Sequence, residues 1–238
     1  MIKPIIIVSI TGRNRKDIFE EAREMKKVKV PMVELRADLL EDLQVFQVIQ
    51  MVLELKEILQ EIPLIFTYRT IAEGGEGQFL LDEVRDLMLA VIHQKQVNFV
   101  DIEYKLSQET REFLLEEAKR NDISTILSLH DFAGTAQQDI LNQQFEEMNR
   151  LEATVLKIVT MANSIEDVFN LMRASYEFTT QHSRSVIAMS MGELGIISRL
   201  AVNLTNSSYT FASFRKPSAP GQISYEKTKE MLELLGMY

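Results

Sequence analysis

The chain has 238 residues, 46% of them hydrophobic, enough for one large domain or two small ones with a sizeable core. It contains no cysteine, which excludes disulfides, a cysteine nucleophile, iron–sulfur clusters and cysteine zinc sites, and suits a reducing cytosol. A net charge of -9 and a pI near 5.0 argue against nucleic acid as the main partner.

The opening Met1-Ile2-Lys3-Pro4-Ile5-Ile6-Ile7-Val8 has an apolar run too short for a signal-peptide core with its cleavage site. No later stretch is long enough to span a bilayer. Strands are predicted over 4–10, 30–36, 63–69, 97–103, 123–130, 154–160, 185–191 and 208–213. They recur roughly every 25–35 residues, the length of one βα unit. Helical spacing fills the intervals: Leu81, Val84, Leu87, Met88, Val91 and Ile92 form one such set, and Ile140, Leu141, Phe145, Met148 and Leu151 another. Thr135-Ala-Gln-Gln138 and Ser164-Ile-Glu-Asp167 read as helix-start capping boxes. Alternating strand and helix means a parallel sheet, and about eight units at this length favour a single-domain (β/α)8 TIM barrel over 1–238. A doubly wound open sheet is the alternative, but no Gly-x-Gly-x-x-Gly turn follows the first strand.

Polar residues stand two apart at the predicted strand ends: Glu34 and Arg36, Thr67 and Arg69, Asp101 and Glu103, Ser128 and His130. Side-chain period in a strand is two, so each pair shares a face. Buried charge is costly unless paired, and so many inward ionisable groups mark a functional rim, where barrel enzymes keep their sites. Arg36, Arg69 and Lys157 are expected to gather positive charge there, opposed by Glu34 or Glu73.

Lys157 interrupts the apolar run Thr154-Val155-Leu156-Lys157-Ile158-Val159. A lysine in a buried strand either runs its stem along apolar surface to reach water or is held desolvated. Desolvation disfavours the ammonium form, and a neutral amine forms Schiff bases with ketones and aldehydes. His130 closes a strand and reads either as a general acid/base or as a core histidine hydrogen-bonded to a carbonyl. His93 and His182 fall on or near helix ends and read as solvated.

Gly74-Gly75-Glu76-Gly77 lacks the lysine and hydroxyl of a phosphate loop and reads as a flexible loop. Arg199, in the first turns of a helix after the seventh strand, suits a carboxylate held with help from the helix N-terminus, unless it is a solvated surface arginine. Lys216-Pro217-Ser218-Ala219-Pro220-Gly221-Gln222 suits a shaped loop over the barrel mouth or a plain surface turn. No metal set is found: there is no His-Glu-x-x-His, and Asp101 with Glu103 fits pairing with basic residues as well as it fits magnesium.

Taken together, the motifs resemble the type I 3-dehydroquinate dehydratases, the Schiff-base enzymes of the shikimate pathway. The matching segments run in family order over essentially the whole chain: Glu34-Leu-Arg36-Ala-Asp38, Thr67-Tyr-Arg69 with Glu73-Gly-Gly, Asp101-Ile-Glu103, His130-Asp131-Phe132, Lys157-Ile158, Ser190-Met191-Gly192 through Ser198-Arg199, and Ser218-Ala219-Pro220-Gly221-Gln222. The resemblance implies a (β/α)8 barrel, a cytoplasmic homodimer, and no cofactor or metal. It implies that Lys157 forms an imine with the ketone of 3-dehydroquinate, that His130 is the general acid/base, and that Glu73 orients it. It assigns Arg199, Ser218 and Gln222 to the substrate carboxylate, and Glu34, Arg36 and Arg69 to its ring hydroxyls. Ser9 joins these as a binding residue, and Met189, Met191 and Phe211 pack the ring. Ala136 and Ala162 stand where the family often has proline, and Asn206-Ser207-Ser208 where small Gly-Ser residues are usual; these departures bear on loop shape.

Two other classes fit the rim in outline. An aldolase-like Schiff-base barrel acting on sugar phosphates needs a phosphate site at the last loops. A non-catalytic barrel binding protein has no need of the complete rim set.

Overall fold

The computed structural model describes residues 3–41 and 44–238; Met1 and Ile2 of the apolar start lie outside them, as do Asp42 and Leu43. Eight strands alternate with helices: β1 (Ile5–Ile10), β2 (Met32–Arg36), β3 (Leu64–Thr67), β4 (Phe99–Glu103), β5 (Ser124–Asp131), β6 (Val155–Met161), β7 (Ser185–Met191) and β8 (Tyr209–Ala212). The helices are α1 (Arg15–Lys27), α2 (Val45–Leu59), α3 (Leu81–Gln94), α4 (Gln108–Arg120), α5 (Gln138–Asn149), α6 (Ile165–Gln181), α7 (Ile196–Leu200), α8 (Val202–Thr205) and α9 (Tyr225–Leu234). The strand order in the sheet is β7-β6-β5-β4-β3-β2-β1-β8, the sequential order of a (β/α)8 barrel.

Contacts gather into two compact units, Val8–Ile126 and Leu127–Tyr238 with the first part of β1. In the first, β2, β3 and β4 are parallel and in register, with Arg36 beside Thr67 and Thr67 beside Asp101. These three side chains form one row, and Glu34 lies one row below on the same face. In the second unit, β6 and β7 pair with Lys157 beside Ile187 and Val159 beside Met189. The amide of Ser208, just before β8, donates to Val186 O of β7 at 2.9 Å, while Ser208 O accepts from Ile5 of β1 at 3.0 Å. The residue before β8 is therefore bonded on both sides, to β7 and to β1.

The helix starts follow local chemistry. Asn14 Oδ1 accepts from the Asp17 amide at 3.1 Å, and the Ser107 hydroxyl accepts from the Thr110 amide at 3.2 Å. The expected box at Ser164 is present, with Ser164 Oγ accepting the Asp167 amide at 3.2 Å and Asp167 taking the Ser164 amide at 3.0 Å. The box expected at Thr135 is absent. α5 starts at Gln138 without a side-chain cap, and the Thr135 hydroxyl instead meets Thr160 Oγ1 at 2.7 Å and Met161 O at 2.8 Å. A hydroxyl able to reach an adjacent strand end has a stronger use than a solvated helix start.

The third strand is shorter than predicted. It ends at Thr67, and Tyr68 and Arg69 lead into a turn. That turn corrects the reading of residues 74–77 as flexible. The amides of Gly75 and Gly77 donate to Thr70 O at 2.9 Å and Arg69 O at 3.3 Å. A Cβ on Gly75 would lie 2.1 Å from Arg69 O, and one on Gly77 2.6 Å from the Tyr68 ring. The glycines are there for close packing rather than for motion.

Candidate active site

In the unit Val8–Ile126 the expected binding residues form a buried acid–base network. Glu34 accepts from the Ser9 hydroxyl at 2.6 Å and from the Thr67 hydroxyl at 2.9 Å. Arg36 forks onto Asp38, with Nε to Oδ1 at 2.8 Å and Nη2 to Oδ2 at 2.7 Å. Arg69 carries three acids: Asp101 at 2.8 Å, Glu103 at 3.1 Å and Glu73 at 3.2 Å. All of these groups are buried. Burial alone would lower the Arg69 guanidinium, but Asp101, Glu103, Glu73 and Glu34 together hold it above its ordinary value. Arg36 is likewise raised, its burial outweighed by Asp38.

Glu73 and Glu34 oppose the positive charge of this region, and Asp38, Asp101 and Glu103 add to them. Both arginines have their carboxylates within their own unit, and those acids offset the cost of burying a guanidinium. Asp101 and Glu103 are engaged with Arg69, and among the described residues no group of three His, Cys, Asp or Glu side chains is placed to hold a metal ion. Glu73 shares Arg69 with these two acids. Burial pushes its carboxyl up to about 8, against the pull of Arg69, whose charge is largely taken by Asp101 and Glu103. A carboxyl so placed holds a proton near neutral pH and can donate a hydrogen bond as well as accept one.

In the unit Leu127–Tyr238, Lys157 is 4% exposed and lies mid-strand in β6, so its stem does not carry it to open water. Its Nζ sits 4.4 Å from the centroid of the Phe211 ring in β8. Register places Ile187 and Met189 on the face of Lys157, with Met191 next along β7. Phe211, Met189 and Met191 are all buried and give the amine an apolar flank. His130 is buried at the penultimate position of β5. His93, in the last turn of α3, pairs with Glu117 at 3.1 Å, and His182, just past the end of α6, pairs with Glu146 at 2.7 Å.

Arg199 is the most unusual cation of the molecule. It is 2% exposed, yet its guanidinium meets only Met189 Sδ at 3.3 Å and Pro220 O at 3.2 Å, and Nε has no partner. Among the described residues no carboxylate forms an ion pair with it. Burial pushes its pKa down to about 10, which leaves it ionised at neutral pH. It does not stand at a helix N-terminus as expected: α7 has five residues and Arg199 lies in its last turn. Its backbone is fixed instead, with Arg199 O accepting from the Thr210 hydroxyl of β8 at 2.8 Å, and Ser198 Oγ accepting the Ser190 amide of β7 at 2.8 Å. The loop that Arg199 touches is also set. The Ser218 amide donates to Gln222 Oε1 at 2.7 Å, and Gln222 Nε2 donates to the Ser218 hydroxyl at 3.0 Å. Gly221 has φ +80°, and a Cβ there would lie 2.5 Å from Gly192 O. A buried, charged guanidinium with open donors, flanked by the half-buried Ser218–Gln222 pair, is built for an anion.

The sequence reading did not single out Thr210 and Thr70, whose hydroxyls secure Arg199 and Glu103. Threonine is common in strands and turns, and no spacing sets these two apart before the chain folds. Asp38 stood within a recognised motif without a role, and its fork to Arg36 is visible only from the turn after β2.

Comparison with known proteins agrees over the full length. The profile of the type I 3-dehydroquinase family matches residues 6–238. The chain is 34% identical over 235 residues to a 3-dehydroquinate dehydratase of Clostridioides difficile strain 630, covering 98% of this chain and 92% of that protein. It is 35% identical over 235 residues to a 3-dehydroquinate dehydratase of Bacillus licheniformis, with the same coverage of 98% and 92%. Among solved structures it superposes with TM-score 0.94 and 33% identity on a type I 3-dehydroquinate dehydratase from Clostridium difficile with covalently modified comenic acid, covering 99% of this chain and 93% of that one.

Proposed function

The chain belongs to the type I 3-dehydroquinase family, and from that membership we propose that it removes water from 3-dehydroquinate by way of an imine on Lys157. It is a hydro-lyase of the shikimate pathway acting on a small molecule. The (β/α)8 fold is that of its relatives. We read 1–238 as one catalytic domain, since the strand–helix alternation runs through both compact units without a linker.

In this proposal the Lys157 amine adds to the substrate ketone and water leaves, giving an iminium. That cation withdraws electrons from the adjacent carbon, whose proton becomes acidic. His130 takes the proton, then returns one to the departing hydroxyl in a syn elimination and assists hydrolysis of the imine to 3-dehydroshikimate. Glu73 orients His130 in this scheme. Arg199 with Ser218 and Gln222 takes the carboxylate; Ser9, Glu34, Arg36 and Arg69 order the ring hydroxyls; Met189, Met191 and Phe211 pack the ring. No cofactor or metal enters the scheme.

The observation that carries this reading is the presence in one unit of a buried amine against the Phe211 ring and a buried guanidinium that, among the described residues, forms no ion pair with a carboxylate. A keto acid offers a ketone to the amine and a carboxylate to the guanidinium. The aldolase-like alternative needs a phosphate site at the last loops, and the loop here presents a serine and a glutamine, with Arg199 on Pro220 O. The cytoplasm and a homodimer complete the proposal. Among the described residues no helix is long and apolar enough to cross a membrane. Ile165, Phe169 and Tyr176 lie exposed along one face of α6, where a second copy would cover them.

The test is chemical. Borohydride added during turnover of 3-dehydroquinate should leave a reduced adduct on Lys157 and on no other lysine, read by peptide mass spectrometry. Continued turnover with Lys157 unmodified would refute the imine.

A further inference from the structure

Glu103 has a position that ring-hydroxyl binding does not explain. Its Oε1 accepts the Thr70 amide at 2.8 Å and Arg69 Nη1 at 3.1 Å, and its Oε2 accepts the Thr70 hydroxyl at 2.7 Å. The side chain is buried, and all three contacts go to residues of the chain. Thr70 opens the segment 70–77, whose turn carries Glu73 and folds back so that Gly75 and Gly77 bond to Thr70 O and Arg69 O. The far end is held by Asp38, which accepts the Glu76 amide at 3.2 Å. A buried carboxylate is expensive unless its lone pairs are used, and Glu103 spends them on the backbone three residues before Glu73 and on the arginine beside it.

We propose that Glu103 is a positioning residue: it anchors the start of segment 70–77 and sets Arg69, and so fixes where Glu73 points. It touches no substrate atom itself. The proposal rests on the reading above in which Glu73 orients His130. Distance in sequence hides the link, since β4 supplies the acid and the turn after β3 receives it.

The experiment uses the full chain with Glu103→Gln, which keeps shape and one acceptor oxygen but cannot accept from Thr70 Oγ1 and from Arg69 together. Thr70→Val removes only the hydroxyl donor and serves if Glu103→Gln does not fold. Glu73→Gln is the reference. Three quantities are measured: kcat and KM for 3-dehydroquinate separately, and amide hydrogen exchange of peptides covering 70–77. The expected result for Glu103→Gln is kcat, counted per folded molecule, down about tenfold or more with KM within about threefold, a split that loss of ground-state binding does not give. Exchange over 70–77 should rise about tenfold while that of β6 and β7 stays unchanged. For Thr70→Val the same direction is expected at about threefold in kcat. Wild-type kcat in a folded variant overturns the proposal, as does a lowered kcat with unchanged exchange over 70–77. If Glu73→Gln itself turns over at the wild-type rate, the role of Glu73 is what fails, and the exchange measurement still decides whether Glu103 anchors the turn.

Discussion

The buried arginines have surroundings that differ in a way that residue type alone does not convey. Arg36 and Arg69 are as buried as Arg199, yet each has carboxylates on its fork, whereas Arg199 has a sulfur and a carbonyl. Removing a matched arginine strands buried acids; removing Arg199 strands nothing. Arg199→Ala should therefore raise KM for 3-dehydroquinate by about tenfold or more with kcat within about threefold, and leave the ligand-free melting temperature within about 3 °C. Steady-state kinetics and a thermal melt check both parts; a fall in kcat at constant KM contradicts the anchor role. Glu73 makes a pH prediction. Its carboxyl ionises near the ordinary 4.5 when unfolded and near about 8 when folded, so the folded state binds the extra proton between those values. Its contribution to stability is thus present below the unfolded value and is lost as pH rises through the folded one. Glu73→Gln, which cannot ionise, should gain melting temperature relative to the parent by about 3 °C or more between pH 5 and pH 9. A difference that is flat with pH means that Glu73 is ionised throughout.

At the scale of elements, turns hold the site as firmly as strands do. Segments 70–77 and 218–222 each have a glycine where a Cβ would strike backbone, Arg69 O at 2.1 Å for Gly75 and Gly192 O at 2.5 Å for Gly221. Backbone atoms cannot step aside as a side-chain tip can. Gly75→Ala should cost about 2 kcal/mol or more. Gly134→Ala, whose Cβ would meet only the Asn163 amide tip at 3.2 Å, should stay within about 0.5 kcal/mol. Chemical denaturation of the two variants separates close packing from general loop sensitivity. Strand positions were legible because apolar runs and turn signals bound them, and the error at β3 is instructive. Tyr68 and Arg69 continue the alternation expected of a strand, but the glycines two turns on draw them into a fold-back. The Thr135 box failed for a similar reason: the motif is local, and the hydroxyl found a partner 25 residues away.

For the whole molecule, the proposed homodimer makes the one prediction that the isolated chain cannot satisfy. The exposed apolar face of α6 is continuous in helical spacing from Ile165 through Phe169 to Tyr176. Phe169→Asp should convert the protein from dimer to monomer in analytical ultracentrifugation while its far-ultraviolet circular dichroism is retained. A dimer persisting unchanged places the interface elsewhere. The acidic balance of -9 does not conflict with an anion site, because Arg199 is buried and, among the described residues, forms no ion pair with a carboxylate.

By itself, the sequence determined the alternation of eight strands with helices, the placement of ionisable residues at strand ends and the family to which the chain belongs. These depend on periodicity and on motifs a few residues long, which local chemistry dictates. Only the tertiary structure decided which cation is left without an acid, which carboxyl burial protonates and which glycines are packed rather than mobile. Those outcomes depend on groups brought together from strands tens of residues apart, and the energy of a buried charge is set by its neighbours in space rather than by those in the chain.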